Sequence, residues 1–210
     1  MIKIDSIPVG MLRTNCYILQ DSGKCAIIDP GGDFGLVDKF ISANSLEPVL
    51  VMATHGHFDH VFSAGEFLNE YGLKLHINSA DIELLGEADK MSIDLTGSRM
   101  DGKIETITFE DGREFRVGGS KIQAVAFPGH TPGSTIFMSE AGLFTGDTVF
   151  KGTVGRVDFG GSILDMRRSL DRFRKISGNH LLFPGHGDFT ALDDEKRVNP
   201  YLSDAFIYGN

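Results

Sequence analysis

The spacing of apolar side chains predicts that strands and helices alternate along the first half of the chain. Short apolar runs with the length of strands lie at 16–19, 24–28, 48–53 and 74–77. Apolar residues at helical spacing lie at 35–43, 61–71 and 80–85. Residues 86–102 show no regular period, so we interpret them as a long loop, and loops of this length in compact domains usually serve a function.

The second half of the chain is predicted to be richer in strands. Apolar runs separated by glycine-containing turn signals fill residues 104–150. A helix, a strand and a second helix are predicted at 163–176, 180–183 and 192–205. The last helix should break at Asn199-Pro200, because the residue before a proline avoids helical backbone angles. This order of elements predicts an α/β fold in which helices cover a core of two sheets.

Length and charge narrow the class of protein. The chain has 210 residues, which favours a single domain over 1–210. A net charge of −9, with no run of lysine or arginine, argues against nucleic acid and anionic membranes as partners. No stretch approaches the roughly 20 apolar residues of a membrane span, and we see no signal peptide. Because the two cysteines, Cys16 and Cys25, look like buried free thiols, we expect a cytoplasmic location.

Potential metal ligands cluster directly after the apolar run at 48–53. His55, His57, Asp59 and His60 fall within six residues. Imidazole and carboxylate together suit zinc, iron or manganese. On extended backbone His55 and His57 project to the same side, whereas Asp59 and His60 lie where a helix would begin. One pair can therefore hold one metal ion while the other pair reaches a second.

Three later segments repeat one pattern, in which a polar residue stands just beyond an apolar strand and next to glycine. These residues are His130, Asp147 and His186. Rigid strands can aim ligands, and glycine lets the backbone turn tightly around an ion. The pattern therefore predicts a metal site at one edge of a sheet.

The motifs in this order resemble those of the metallo-β-lactamase superfamily. They are His-x-His-x-Asp-His at 55–60, Gly-His-Thr-Pro-Gly at 129–133, Gly-Asp-Thr at 146–148 and Pro-Gly-His-Gly at 184–187. The resemblance extends from about residue 15 to residue 201. Within the superfamily, the segments 146–150, 154–156 and 199–201 look most like glyoxalase II (hydroxyacylglutathione hydrolase), in its short single-domain bacterial form. The resemblance implies a four-layer αββα sandwich with the site along one edge of its two sheets.

The resemblance also implies a set of ligands for two divalent metal ions, with zinc expected first and iron or manganese as alternatives. The first ion would be held by His55, His57 and His130, and the second by Asp59, His60 and His186. Asp147 would bridge the two ions, and Asp59 would also orient a hydroxide shared between them. Asp29, at a strand end, would orient one of the histidines from outside the metal's own ligands.

The function implied is hydrolysis of a thioester such as S-lactoylglutathione by the metal-bridging hydroxide. A thiolate can leave without prior protonation, because its parent thiol has a pKa of about 8.5. Arg156 is a candidate anchor for a substrate carboxylate. Asp158 stands where the family has an aromatic contact to the glutathione tail, which predicts weak selectivity for the thiol portion. We expect the substrate to enter beside residues 86–102 and 150–159.

Two other activities of the same fold stay open. A persulfide dioxygenase would use a single iron held by fewer ligands than the seven found here, and a lactonase would open a cyclic ester. A β-lactamase is disfavoured, because such enzymes usually carry cysteine at the position of Asp147.

Overall fold

The computed structural model describes residues 2–100 and 102–209. Twelve strands form two six-stranded sheets. The first sheet contains, in spatial order, β1 (Lys3–Val9), β2 (Thr14–Asp21), β3 (Lys24–Ile28), β4 (Glu47–Met52), β5 (Leu75–Asn78) and β6 (Thr106–Phe109). The second contains β12 (Thr190–Ala191), β11 (Leu181–Pro184), β10 (Gly142–Gly146), β9 (Thr135–Ser139), β8 (Ser120–Ala126) and β7 (Glu114–Val117).

Helices cover the outer face of each sheet. They are α1 (Phe34–Ala43), α2 (Phe58–Val61), α3 (Ala64–Tyr71), α4 (Ile82–Thr96), α5 (Ile163–Phe173), α6 (Leu192–Val198) and α7 (Asp204–Tyr208). Two 3₁₀ turns, Ser79–Asp81 and Pro200–Leu202, precede α4 and α7. In the described part of the chain, no helix has the length and apolar character needed to cross a membrane.

Three apolar clusters show the layers. In β2, Cys16 and Ile18 pack in the cluster shared with α1 to α4, whereas Tyr17 and Leu19 pack in the cluster between the sheets. Successive strand residues point to opposite faces, so the uninterrupted apolar run at 16–19 is a strand buried on both sides. A third cluster joins the second sheet to α5 and α7. The predicted αββα sandwich is confirmed.

Strand direction brings the candidate ligands to one edge. In the first sheet β3, β4, β5 and β6 pair in parallel, so their carboxyl ends lie side by side. Asp29 follows β3, and His55 and His57 follow β4. In the second sheet β10 and β11 are also parallel, which places Asp147 beside His186. The edge predicted from the sequence is therefore the place where both sheets deliver polar side chains.

The long loop predicted at 86–102 is wrong over most of its length, because α4 continues to Thr96. Its buried face carries the small residues Ala88 and Ser92, so the apolar period that marks a helix is weak there. Ser92 is nevertheless buried, and its hydroxyl donates to the Ser98 carbonyl. Gly97 then ends the helix in the left-handed conformation. Of the remaining loop, Asp101 lies outside the described residues.

The other predicted helices differ from the structure mainly at their ends. The helix predicted at 61–71 is two helices, α2 and α3, and the one predicted at 192–205 is interrupted after Val198. The interruption falls at Asn199-Pro200, as predicted, and the Asn199 side chain accepts from the Tyr201 amide to start the 3₁₀ turn. The helix predicted at 163–176 ends at Phe173.

Candidate metal centre

The seven side chains predicted as ligands converge at the shared edge of the two sheets. They form three groups in which the ligand atoms lie within 4.8 Å of one another. These groups are His55 with His57 and His130, His55 with His60 and Asp147, and Asp59 with His60 and His186. Every predicted ligand is therefore brought together with others, and the groups overlap through shared members.

Three ring nitrogens meet in the first group. The His55 Nε2 atom lies 3.1 Å from His57 Nδ1 and 3.1 Å from His130 Nε2. His57 Nδ1 and His130 Nε2 are 2.9 Å apart. All three side chains are buried. Whether these three nitrogens can bind a cation depends on which nitrogen of each ring carries the proton.

Backbone carbonyls fix that choice for two of the rings. The other nitrogen of His57, Nε2, lies 3.0 Å from the Phe159 carbonyl oxygen. The other nitrogen of His130, Nδ1, lies 2.6 Å from the Arg156 carbonyl oxygen. Because a carbonyl can only accept, each of these nitrogens is the protonated donor. His57 Nδ1 and His130 Nε2 therefore present lone pairs to the centre of the triangle.

Asp29 fixes the third ring through Thr54. The Thr54 hydroxyl donates to Asp29 Oδ2 at 2.8 Å and so accepts from His55 Nδ1, 3.1 Å away. Asp29 Oδ1 also accepts from the Thr54 amide at 2.7 Å, and Oδ2 lies 2.9 Å from His60 Nδ1. His55 Nε2 is thus a third lone pair. Three converging lone pairs cannot hydrogen-bond one another, and a cation satisfies them.

The second group combines two imidazoles with a carboxylate. Asp59 Oδ2 lies 3.1 Å from His186 Nε2 and 3.6 Å from His60 Nε2, and it accepts from the Thr14 hydroxyl at 3.2 Å. His186 Nδ1 donates to the Leu12 carbonyl at 3.2 Å. Burial opposes the charge on His186, but the Asp59 carboxylate facing its Nε2 atom raises the pKa of this imidazole. The β1–β2 hairpin therefore hydrogen-bonds both Asp59 and His186, through the Thr14 hydroxyl and the Leu12 carbonyl.

Asp147 lies between the two groups. Its Oδ1 atom is 3.3 Å from His60 Nε2, and its Oδ2 atom is 3.5 Å from His130 Nε2 and 3.7 Å from His186 Nε2. Although they lie 3.3 Å apart, His60 Nε2 and Asp147 Oδ1 are buried and neither makes a hydrogen bond within the described residues. Buried polar atoms without partners are rare and need a reason. An ion between them provides one, so the donor set fits two cations separated by this carboxylate.

Burial and neighbouring charges shift the pKa values of the candidate ligands in opposite directions in different parts of the centre. Burial and the neighbouring imidazoles lower the pKa of His57 to about 4 and hold that of His55 well below its ordinary value. Burial also opposes the charge on His60, but the nearby carboxylates of Asp29, Asp147 and Asp59 raise its pKa well above the ordinary value. Burial would raise the pKa of Asp147, yet His60 and the other imidazoles hold it below the usual range. Metal ions compete with protons for such groups.

Asp81 is a residue of the site that the sequence analysis missed. Its side chain is fully buried and accepts hydrogen bonds from the Gly56 amide (2.9 Å), the Thr131 hydroxyl (2.7 Å) and the Gly133 amide (2.6 Å). Burial raises its pKa, although these hydrogen bonds act in the opposite direction. An aspartate before a helix is ordinary in sequence. The sequence signal that could have pointed to Asp81 is the glycine inside each of two ligand motifs, Gly56 and Gly133.

His76 and His180, the two histidines outside the ligand motifs, lie elsewhere. The His76 ring packs edge-on against Phe115, and His180 Nε2 donates to the Ser177 carbonyl at 3.0 Å. Within the described residues, neither belongs to a group that could hold a metal ion.

Arg156, the predicted substrate anchor, is exposed beside the first group. Its guanidinium pairs with the Asp158 carboxylate through two nitrogens and lies 4.6 Å from the centre of the Phe159 ring. The pairing satisfies much of the hydrogen-bonding capacity of the guanidinium and offsets its charge.

A cavity of about 200 Å³ opens beside Asp59 on the other side of the centre. Its walls include the apolar side chains of Met11, Leu12, Phe58 and Phe62, and Thr96 and Ser98 close one end. The segment 86–102 therefore reaches this cavity through the end of α4, and substrate entry beside it stays a prediction. Among the described residues that line it, only Asp33 and Asp59 are charged, so the cavity suits a neutral group.

Comparison with known proteins agrees with the fold and with the ligand motifs. A family profile described as the Metallo-beta-lactamase superfamily matches residues 9–186. The hydroxyacylglutathione hydrolase GloC of Haemophilus influenzae is 30% identical over 96% of this chain and 99% of its own length. The structure of the BLEG-1 B3 metallo-beta-lactamase has a TM-score of 0.86 at 27% identity, covering 96% of this chain and 100% of that one. TTHA1623, crystallised in a di-iron-bound form, has a TM-score of 0.85 at 29% identity, covering 94% and 99%.

Proposed function

The chain belongs to the metallo-beta-lactamase superfamily, and on that premise we propose that it hydrolyses thioesters at a centre of two divalent metal ions. One observation carries the proposal: Asp147 lies between two groups of side chains that could each hold a metal ion. His55, His57 and His130 would hold one ion and Asp59, His60 and His186 the other. Zinc is our first choice, and iron or manganese also suit nitrogen and oxygen ligands.

Two bound cations would supply an activated water and polarise the substrate carbonyl. The chain's own residues then orient the reactants. Asp59 keeps one oxygen, Oδ2, directed at His186 and Thr14, and we propose that the carboxylate also orients the attacking water. Asp29 would keep the lone pairs of His55 and His60 directed at the metals. A thiolate leaving group needs no proton donor at neutral pH, which favours thioesters over amides.

The two sides of the centre suit different parts of such a substrate. The apolar cavity beside Asp59 would take the acyl group, because the charged side chains that line it in the described part of the chain are carboxylates, which repel anions. The exposed segment with Arg156 and Asp158 would face the thiol portion. The relative GloC is named a hydroxyacylglutathione hydrolase, which supports a thioester but leaves the identity of the thiol as part of the proposal.

The test is a comparison of kcat/KM across substrate classes after reconstitution with zinc, iron or manganese. The panel contains S-lactoylglutathione, a lactoyl thioester of an uncharged thiol, a butyryl thioester, a lactone, a β-lactam and glutathione persulfide with oxygen. We expect the thioesters to be the best substrates with at least one metal. Absence of thioester turnover with every metal, together with turnover of another class, would overturn the proposal in favour of that class.

Asp158 should limit the use of glutathione thioesters, because it occupies the guanidinium of Arg156. Asp158→Ala should therefore raise kcat/KM for S-lactoylglutathione about two- to fivefold through a lower KM, the range expected from an exposed ion pair. A lactoyl thioester of an uncharged thiol is the matched control and should not change. Adding Arg156→Ala should remove the gain. An equal gain for both thioesters would show that Arg156 does not bind the carboxylate.

A further inference from the structure

The first histidine group is assembled from both sheets, so its geometry depends on how two loops are held together. His55 and His57 lie on the loop after β4, whereas His130 lies 73 residues beyond His57 on the loop after β8. These strands belong to different sheets. One backbone hydrogen bond, from the Thr135 amide to the Thr54 carbonyl, joins the bases of the loops. The parts of the two loops that carry the histidines must therefore be held in place by side-chain contacts.

Asp81 spans those parts. Its Oδ2 atom accepts from the amide of Gly56, which stands between His55 and His57, and from the hydroxyl of Thr131, which follows His130. Its Oδ1 atom accepts from the Gly133 amide two residues further on. One fully buried carboxylate thus receives hydrogen bonds from both ligand loops. Charge-assisted hydrogen bonds of this kind are shorter and stronger than neutral ones.

The two glycines show how closely the backbone approaches Asp81. A Cβ atom at Gly133 would lie 2.6 Å from Asp81 Cγ, and one at Gly56 would lie 3.0 Å from the Asp81 carbonyl oxygen. Both loops therefore pack directly against this residue. A side chain at Gly133 would push the Asp81 carboxylate away from its hydrogen-bond donors. The lack of space beside Asp81 therefore explains why glycine stands at this position in each ligand motif.

We infer that Asp81 is a positioning residue that sets the spacing of His55, His57 and His130 and so the affinity of the first site for metal. Within the described residues its hydrogen bonds go to the loops that carry the three imidazoles and not to the rings themselves, so it acts through those loops. The inference rests on the proposed function only in assuming that these histidines bind a metal ion. Changing residues that orient ligands from outside typically costs 10- to 100-fold in metal affinity.

The test is a zinc titration of the metal-free protein, in which both binding constants are measured by competition with a chromophoric chelator. Asp81→Asn keeps the shape of the side chain but replaces one acceptor oxygen with an amide NH₂ group, which donates. We expect it to weaken the first site about 10- to 100-fold and to leave the second within about threefold. Thr131→Val removes a single donor and should weaken the same site by a smaller factor, which keeps the test open if the first variant folds poorly.

Asp21 provides a matched control. Its carboxylate also links the two sheets, accepting from the Gly119 amide and the Ser120 hydroxyl, but it lies at the end of β2 opposite to Thr14 and the metal ligands. Asp21→Asn should lower the melting temperature while leaving both zinc affinities unchanged. Wild-type affinity at both sites in Asp81→Asn and Thr131→Val, or an equal loss in Asp21→Asn, would overturn the inference. If the wild-type protein bound no zinc, iron or manganese, the proposed function itself would fail.

Discussion

Asp147→Ala should reduce kcat for the best thioester substrate by at least about a thousandfold, since metal ions supply several kcal/mol of transition-state stabilisation. The Asp147 carboxylate faces both groups of candidate ligands, with Oδ1 near His60 and Oδ2 near His130 and His186. Its loss removes a negative charge from between two cations and leaves both with an incomplete set of ligands. We therefore expect a larger loss than from His130→Ala or His186→Ala, each of which affects one group.

Metal content measured on the same samples separates the two parts of this prediction. Elemental analysis of the Asp147→Ala protein should show fewer than two ions per chain under conditions that load the wild type. Asp188→Ala is the control, because Asp188 is an exposed carboxylate on the loop after β11 that pairs with Lys151. A variant at Asp147 that kept both metals and near-native turnover would show that this residue does not bridge them.

The convergence of the candidate ligands could be predicted from the sequence, because their positions follow from chain direction. Parallel strands carry their carboxyl ends to a common edge, so a polar residue directly after an apolar strand falls at that edge. His55 after β4, Asp147 after β10 and His186 after β11 all obey this rule. The burial of β2 on both faces could also be predicted, because its apolar run does not alternate with polar residues.

The groups that hold those ligands could not be found in the same way. His57, His130 and His186 each donate to a backbone carbonyl, and every residue has one, so no residue type marks the partner. Asp81 is hidden for a different reason, because its burial depends on two loops that are distant in sequence. The same holds for α4, whose buried Ser92 gives no apolar signal.

Removal of the metal ions should destabilise the fold as well as abolish activity. Without a cation, the ring-nitrogen lone pairs of the first group face one another. An ion supplied at 1,000 times its dissociation constant stabilises the native state by about 4 kcal/mol. For a chain of this size, each kcal/mol shifts the melting temperature by about 2–4 °C. We therefore expect chelation to lower it by about 10 °C for a single ion of that affinity, and further for two.

Differential scanning calorimetry of metal-free and reloaded protein measures this shift. Reloading should restore the melting temperature in proportion to the metal bound, and the shift should grow with the free metal concentration, as binding linkage requires. His180→Ala should respond to chelation like the wild type, because His180 lies outside the centre. His57→Ala should melt closer to its own chelated form, because the first group has lost a ligand. A metal-free protein that melts at the same temperature as the loaded one would mean that the five imidazoles and two carboxylates do not form the metal centre described above.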